Sequence, residues 1–345
     1  MGILSGTTDF FGLDIGTSAI RVVQMKGGKT KVLARYGSLD IDEKIGQSDA
    51  NADQQKLGQA IKKVIADSGI STRNVAVGLP SQRVFITVVD IERLSPSELD
   101  KTLRLQADSL IPTPIDDSKI DWALLGDSPK DKAKVEVLLS SVDNSFVERR
   151  LDLLESLGLN VIAFEPESIA LTRALLAPGA AEPHLVLDMG LKATDLVITM
   201  NDAPRLVRTI PIGSESIIKA AMQNLGIDEN QANQFVFKFG LNKEKLEGQI
   251  YGARNSTVET LISEIEKSIK FFTARYQNVQ LSKMVVTGSA ATLPEFPLVL
   301  ANKFGAGVEI GNAWRNTTFQ AGQQNDLLSV ANRYSVAAGL AERVE

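Results

Sequence analysis

The sequence has no cysteine and only one histidine among its 345 residues. The absence of cysteine excludes disulfide bonds, thiol nucleophiles and cysteine-ligated metals, and it suits a reducing compartment. A single histidine, His184, excludes histidine-rich metal centres and argues against a Ser-His-Asp triad. Because His184 follows Pro183 and precedes a predicted strand, we expect it to be an inert residue at the edge of a loop.

Long apolar runs and an excess of positive charge are also missing. No run approaches the ~18 residues that a membrane-spanning helix needs, and no basic segment precedes an apolar one at the N-terminus. We therefore expect a cytoplasmic protein that does not insert into the membrane. The chain has 37 lysine and arginine residues against 42 aspartate and glutamate residues, for a net charge of -5, so nucleic acid is not an expected partner.

One short motif occurs twice, about half a chain apart. Leu13-Asp14-Ile15-Gly16 matches Leu187-Asp188-Met189-Gly190, and the offset from position 14 to position 188 is 174 residues. In both copies apolar residues precede the motif, and a hydroxyl residue and a second predicted strand follow it. This pattern predicts a duplicated domain and not a solenoid, whose repeats are roughly 20–50 residues long. The chain is long enough for two such domains.

Hydrophobic periodicity predicts an α/β chain. Strands are predicted over 11–15, 19–25, 31–36 and 75–79, with a helix over 54–68. Ser95 and Glu98 form a capping-box pattern, which predicts a helix that ends before Pro112. Ser256 and Glu259 form the same pattern and predict the start of a long amphipathic helix.

The order of these elements predicts two lobes and an insertion. Alternating strands and two amphipathic helices between residues 80 and 160 indicate a compact α+β subdomain within the first lobe. The expected division is a first-lobe core at 1–79, completed by about 161–182 and 326–345, the insert at 80–160, a second-lobe core at 183–213 and 278–325, and a second-lobe helical subdomain at 214–277.

The two repeated turns have the composition of an anion site. A tight turn directs its backbone N–H groups toward one point, and Gly16 and Gly190 let a ligand approach without a Cβ in the way. Phosphate is the anion that fits such a turn. Hydroxyl and guanidinium donors follow close by in the sequence, at Thr17, Ser18, Arg21 and Thr194.

Each turn also contains one carboxylate, Asp14 in the first and Asp188 in the second. A carboxylate does not favour phosphate, so the pair predicts a divalent cation between the turns and the phosphates. Mg²⁺ keeps several waters and needs only one or two carboxylates nearby. A single Asp-x-Gly motif is most often ordinary turn chemistry, whereas two matched copies favour a phosphate site.

Together these residues resemble the actin, sugar-kinase and heat-shock ATPase superfamily, in which each of two similar lobes supplies a phosphate hairpin. The resemblance implies an actin-like ATPase fold that binds ATP and Mg²⁺. It implies that Glu165, in a Glu-Pro pair, orients the attacking water, and that Asp14 is the second catalytic candidate. Its phosphate and adenosine motifs correspond here to Asp14, Gly16, Thr17, Ser18 and Arg21, then Asp188, Gly190 and Thr194, then Gly288 and Ser289.

Within that superfamily the chain resembles the PilM family of type IV pilus assembly. The insert, the segment RTIPIGSESIIKAAMQNLGI at 208–227 and the segment ANQFVFKFGL at 232–241 carry this resemblance. The chain has Gly213-Ser214 where the family usually has two glycines, and the resemblance implies that Gly213 is a further nucleotide-binding residue. It has Asn233 where relatives often have a ribose-binding glutamate.

The resemblance implies a scaffold whose partner affinity depends on bound nucleotide, and which is at most a slow ATPase. The implied partner is the N-terminal cytoplasmic peptide of a PilN-like inner-membrane protein, bound in a groove between first lobe and insert. Other pilus assembly proteins and further copies of the chain are also candidate partners. Two alternatives remain open: a small-molecule kinase of the same fold, and a nucleotide-free adaptor like FtsA.

Overall fold

The computed structural model describes residues 9–28, 30–241, 249–277 and 279–344. Its strands are β1 (Phe11–Ile15), β2 (Ala19–Lys26), β3 (Lys31–Asp40), β4 (Asn74–Leu79), β5 (Val84–Glu92), β6 (Ser118–Asp127), β7 (Lys134–Asp143), β8 (Asn160–Pro166), β9 (His184–Met189), β10 (Thr194–Met200), β11 (Ala203–Ile210), β12 (Lys283–Gly288), β13 (Gly307–Ile310) and β14 (Thr317–Thr318).

The α-helices are α1 (Glu43–Gln47), α2 (Asn51–Asp67), α3 (Pro96–Leu110), α4 (Asn144–Ser156), α5 (Glu167–Leu175), α6 (Ser214–Leu225), α7 (Glu229–Phe239), α8 (Gln249–Arg275), α9 (Phe296–Phe304), α10 (Gln324–Val330) and α11 (Ser335–Ala341). Among the residues that the structure describes, no helix combines the length and apolar character that crossing a membrane requires.

The first lobe is built on a six-stranded mixed sheet in the order β14-β3-β2-β1-β4-β8. Its central strand β1 has the sequence FGLDI and is buried along its whole length, as expected for a strand covered on both faces. Helices α2 and α4 pack on one face through Leu57, Ile61 and Leu154. Helices α5 and α11 lie on the other face, between this sheet and the second lobe.

The second lobe contains a five-stranded sheet in the order β11-β10-β9-β12-β13. One face packs against helices α6, α7 and α8, which bury apolar residues at helical spacing, Leu261, Ile262 and Ile265 among them. The other face packs against α5, where Val186, Val197 and Val285 join the same apolar cluster as Leu171. Helix α5 is therefore shared by the cores of both lobes.

The inserted subdomain is a three-stranded antiparallel sheet, β5-β7-β6, with α3 packed on one face through Leu99 and Leu103. It is smaller than the predicted range of 80–160, because Leu154 of α4 packs in the first-lobe core. The predicted second-lobe segment 278–325 also divides, since β14 pairs with β3 in the first-lobe sheet. Both boundaries depend on long-range packing that local sequence patterns do not report.

One of the two predicted helix starts is confirmed. The Ser95 N–H donates to the Glu98 carboxylate at 3.0 Å, and α3 begins at the next residue. The other is wrong, because Ser256 lies inside α8 (Gln249–Arg275). A capping box forms only where the chain before it is not helical, and the residues before Ser256 continue the helix.

The insert also contacts the second lobe through a buried ionic cluster. Glu136 of β7 accepts hydrogen bonds from Arg275 Nε at 2.9 Å and from the Tyr276 hydroxyl at 2.8 Å. Arg275 Nη2 donates to Asp90 of β5 at 2.8 Å. Separating the insert from α8 would leave buried charges without partners, which is energetically costly. This cluster therefore holds the insert against the end of α8.

Helices α5 and α11 cross at a point where no side chain fits. A Cβ built on Gly339 of α11 would overlap the carbonyl oxygen of Ala170 in α5. Arg173 of α5 fixes the crossing, because its Nη1 donates to the Gly339 carbonyl at 2.7 Å. The two helices that lie between the lobes are thus held at backbone contact.

We predict that Gly339→Ala lowers the free energy of unfolding by about 2–3 kcal/mol, because the added methyl group must push α11 away from α5. Gly307→Ala is the matched control, since a Cβ there meets nothing within 4 Å. Urea unfolding of both variants measures the difference. Equal stability of the two variants would contradict the close crossing.

Candidate functional site

The first repeated motif forms a tight hairpin between β1 and β2. Asp14 pairs in register with Arg21, and the Gly16 N–H donates to the Ala19 carbonyl at 3.0 Å. Only Thr17 and Ser18 lie in the turn. The Arg21 guanidinium reaches back to the Asp14 carboxylate at 3.4 Å.

The second motif forms the same hairpin between β9 and β10. Asp188 pairs in register with Asp195, and the Gly190 N–H donates to the Ala193 carbonyl at 2.9 Å. Leu191 and Lys192 lie in this turn. The two hairpins therefore have one geometry, as expected for a duplicated domain.

Both hairpins face one cavity of about 940 Å³ between the lobes. The structure brings most of the predicted site residues together in its wall. These are Asp14, Gly16, Thr17, Ser18, Arg21, Asp188, Gly190, Gly288 and Ser289. Three predicted residues lie outside the wall: Glu165, Thr194 and Gly213.

Thr194 and Gly213 support the second hairpin from behind. The Thr194 hydroxyl donates to the Ile212 carbonyl at 2.7 Å and is buried. A Cβ on Gly213 would overlap the Leu191 carbonyl, so a glycine is needed where α6 begins. The Ser214 N–H then donates to the Gly190 carbonyl at 3.1 Å, which fixes the turn against the start of α6.

Glu165 belongs to the helix crossing and not to the cavity. Its buried carboxylate forms ion pairs with Arg173 and Arg343, the same Arg173 that holds the Gly339 carbonyl. A carboxylate held by two guanidinium groups is already neutralised. Glu165 therefore stabilises the crossing of α5 and α11, the two helices that lie between the lobes.

Glu167 is the residue of this segment that lines the cavity. The chain leaves β8 at Pro166, and Glu167 is the first residue of α5. A Cβ on Gly78 would lie 3.2 Å from Glu167 Cγ, so the glycine makes room for this side chain on the neighbouring strand. The backbone N–H of Ser81 donates to its carboxylate.

Four carboxyl groups share the centre of the cavity, and their burial has a clear electrostatic effect. Burial first, and then the nearby Asp195 and Asp14, together raise the pKa of Asp188 to about 7. Burial likewise raises the pKa of Asp14 and of Asp195. The pKa of Glu167 lies well above its usual value, first because of burial and then because Asp14, Asp195 and Asp188 are close. Ionising all four carboxyl groups is therefore unfavourable, and a cation placed among them would relieve their repulsion.

A divalent cation fits this arrangement. Among the described residues no three carboxylates lie close enough to bind one metal ion directly. The ion would therefore keep most of its waters, as Mg²⁺ does, and the carboxylates would accept hydrogen bonds from those waters. Asp14, Asp188 and Asp195 are the residues placed to do this.

The end of β12, in the second lobe, forms another part of the cavity wall. Gly288 has a φ of 66°, and a Cβ there would crowd Asp188 Oδ1 and the Met189 carbonyl. The Ser289 hydroxyl donates to the Met189 carbonyl at 2.7 Å. Polar and aromatic side chains complete this end, from Asn233, Phe237, Thr292, Asn332 and Arg333.

An ion pair across the mouth of the cavity joins the lobes. Lys192, at the tip of the second hairpin, contacts Glu43 of α1 in the first lobe. Lys192 also donates to Glu215 of α6 at 2.7 Å. Because this lysine is shared between the lobes, separating them would break its contact with Glu43.

The sequence analysis missed Asp195, Glu167 and Lys192. The repeat contained the signal for Asp195, since the offset of 174 residues that aligns Asp14 with Asp188 also aligns Arg21 with position 195. The residue paired with the hairpin aspartate is thus a cation, Arg21, in the first lobe and an anion, Asp195, in the second. No local pattern distinguishes Glu167 from Glu165.

Comparisons with known proteins identify the family and the fold of this chain. The family model described as "Type IV pilus assembly protein PilM" matches residues 12–345. A solved PilM-PilN type IV pilus biogenesis complex is 24% identical, covers 96% of this chain and 97% of that chain, and superposes with a TM-score of 0.82.

More distant structures share the fold. The ethanolamine utilization protein EutJ from Carboxydothermus hydrogenoformans is 13% identical over 96% of this chain and 88% of that chain, with a TM-score of 0.56. MreB5 of Spiroplasma citri bound to ADP is 12% identical over 96% and 95%, with a TM-score of 0.53. The predicted actin-like fold and the predicted family are both confirmed, and this chain belongs to the PilM family of type IV pilus assembly proteins.

Proposed function

We propose that this protein is a nucleotide-binding scaffold of type IV pilus assembly. It holds Mg-ATP between its lobes and captures the N-terminal cytoplasmic tail of a PilN-like inner-membrane protein beside the insert. The observation that carries the nucleotide part is the pair of matched hairpins facing one cavity. Membership of an assembly family does not favour the small-molecule kinase.

Each part of the cavity has a role in this proposal. The backbone N–H groups and hydroxyls of the first turn, with the backbone N–H groups that follow Gly190 in the second, would bind phosphate oxygens. Asp14, Asp188 and Asp195 would hold the waters of the metal, which when bound would neutralise the phosphates. The end at Gly288 and Ser289 would admit the nucleoside. Glu167 faces this space and is the best-placed carboxylate to orient a water for slow hydrolysis.

We predict that Asp188→Asn weakens Mg-ATP binding about tenfold or more, because the hydrated metal loses an anionic acceptor. Binding of ATP in EDTA should not weaken, since the substitution removes negative charge near the phosphates. Calorimetric titration separates the two conditions. Asp67→Asn is the control, because Asp67 is exposed and pairs only with Lys63 among the described contacts. Equal losses with and without Mg²⁺ would exclude a role for Asp188 in metal binding, and no binding by the parent would leave a nucleotide-free adaptor.

We predict that Glu167→Gln lowers the ATP hydrolysis rate roughly tenfold or more while nucleotide binding is retained. Glu165→Gln should instead lower thermal stability and leave the hydrolysis rate close to that of the parent, because Glu165 is held by Arg173 and Arg343. Single-turnover hydrolysis and thermal unfolding of both variants give the comparison. The reverse pattern would return the water-orienting role to Glu165.

The partner part of the proposal rests on the family and on the insert. The solved relative is a complex of PilM with PilN. In this chain the insert is joined to the first lobe through a small apolar cluster that contains Leu79, Val142 and Phe146. The other side of the insert is held by the second lobe through Glu136 and Arg275. A tail bound at the junction of insert and first lobe would bring the protein to the inner face of the membrane.

We predict that a labelled N-terminal peptide of the PilN-like protein encoded in the same genome binds the intact chain with moderate affinity, because an extended tail must order on binding. Fluorescence anisotropy measures the affinity, with a scrambled peptide as control. A variant with residues 84–143 replaced by a short linker should not bind. Val84 and Val142 are directly paired, so the ends to be joined are adjacent. Circular dichroism must show that this variant is folded. Binding that survives loss of the insert would contradict the proposed groove.

A further inference from the structure

The cavity extends past the two hairpins to a wall of a different kind. Arg83, Phe146 and Arg150 line this end, beside the segment that contains Ser48 and Asp49. Both guanidinium groups stack on one aromatic ring: Arg83 Cζ lies 5.2 Å and Arg150 Cζ 5.6 Å from the centre of the Phe146 ring. Two cations on the same ring make this end positive, in contrast to the carboxylates of the centre.

Arg150 is buried without compensation. The residue is 8% exposed, and its Nη1 has no hydrogen-bond partner. A buried guanidinium with an unsatisfied N–H donor lowers the stability of the protein unless an acceptor binds to it. Burial lowers the pKa of Arg150 to about 10, which is consistent with this cost.

The neighbouring acidic residues do not form an ion pair with Arg150. Asp49 is held by Arg149, the preceding residue of α4, at 3.4 Å. Glu167 lies on the central side of Arg150, where it is surrounded by the three aspartates. Among the described residues, no carboxylate lies within ion-pair distance of the Arg150 guanidinium. A bound anion would supply both the negative charge and the hydrogen-bond acceptor that Arg150 lacks.

This end of the cavity adjoins the first phosphate hairpin. A Cβ on Gly46 would lie 2.8 Å from the Gly16 carbonyl oxygen and 2.9 Å from that of Thr17, so the segment before Asp49 packs directly on the turn. The loop of Ser81 to Arg83 contributes to the same wall and leads into the first strand of the insert. An anion here would contact both the phosphate region and the root of the insert.

We propose that Arg150, with Arg83 beside it, binds the terminal phosphoryl group of the nucleotide and thereby distinguishes ATP from ADP. The inference rests on the proposed nucleotide site. A guanidinium fork matches the oxygens of a phosphoryl group, and the bond would satisfy the buried donor. Since Arg83 and Phe146 lie where the chain enters and leaves the insert, the terminal phosphate would be sensed at the base of the subdomain that holds the partner.

The test is calorimetric titration of Mg-ATP and Mg-ADP into the parent protein, Arg150→Met and Arg150→Lys. For Arg150→Met we expect the ATP affinity to fall about tenfold or more and the ADP affinity to change less than twofold. Arg150→Lys keeps the charge without the fork and should be intermediate. Arg150→Met should be folded and at least as stable as the parent, because it removes an uncompensated buried charge.

A control variant and two further measurements complete the test. Arg35→Met removes an exposed arginine of β3 that does not line the cavity, and it should leave the ATP to ADP ratio unchanged. Arg83→Met should reduce that ratio as well, by a smaller factor. Inorganic phosphate added to the Mg-ADP complex distinguishes the source of the phosphoryl group: a rise in Tm of the parent but not of Arg150→Met means that released phosphate also binds.

Equal losses of ATP and ADP affinity in Arg150→Met, or no loss of either, would overturn this inference while the proposed nucleotide site stands. Failure of the parent protein to bind either nucleotide would overturn the nucleotide site itself. The two failures are therefore distinguishable in one series of titrations.

Discussion

The crossing of α5 and α11 is the contact on which the rest of the structure depends. Gly339 brings the two backbones together at Ala170, and Arg173 ties the crossing to Glu165 at the end of β8. Helix α5 packs on both sheets, so its position sets the relation between the lobes. The same helix begins with Glu167, in the wall of the cavity. A packing contact outside the cavity wall therefore helps to set the geometry of the site.

The cavity combines two opposite electrostatic environments. Its centre holds four carboxyl groups whose burial and proximity raise their pKa values, so a cation there would relieve their repulsion. At the end near Arg83 and Arg150, an anion would instead balance the guanidinium groups. The proposed Mg-nucleotide ligand would supply both charges.

The insert contacts the first lobe through apolar side chains and the second lobe through an ionic cluster. Apolar packing at Leu79 and Phe146 joins it to the first lobe, and the buried cluster of Glu136 and Arg275 joins it to the second. Lys192 and Glu43 add a further contact across the mouth of the cavity. A change in the distance between the lobes would therefore move the insert, and under the proposed function this movement would link nucleotide binding to partner binding.

The two hairpins, the repeat that relates them, the capping of α3 and the family could all be predicted from the amino-acid sequence. The hairpins and the cap depend on interactions within a few residues, such as strand alternation at Asp14 and the hydrogen bond between Ser95 and Glu98. The positions of Glu167 in the cavity wall, of α4 in the first lobe and of Arg150 without an ion-pair partner among the described residues could not be predicted in this way. Those outcomes depend on how distant segments pack, because a side chain's surroundings in a core are set by residues that local patterns do not include.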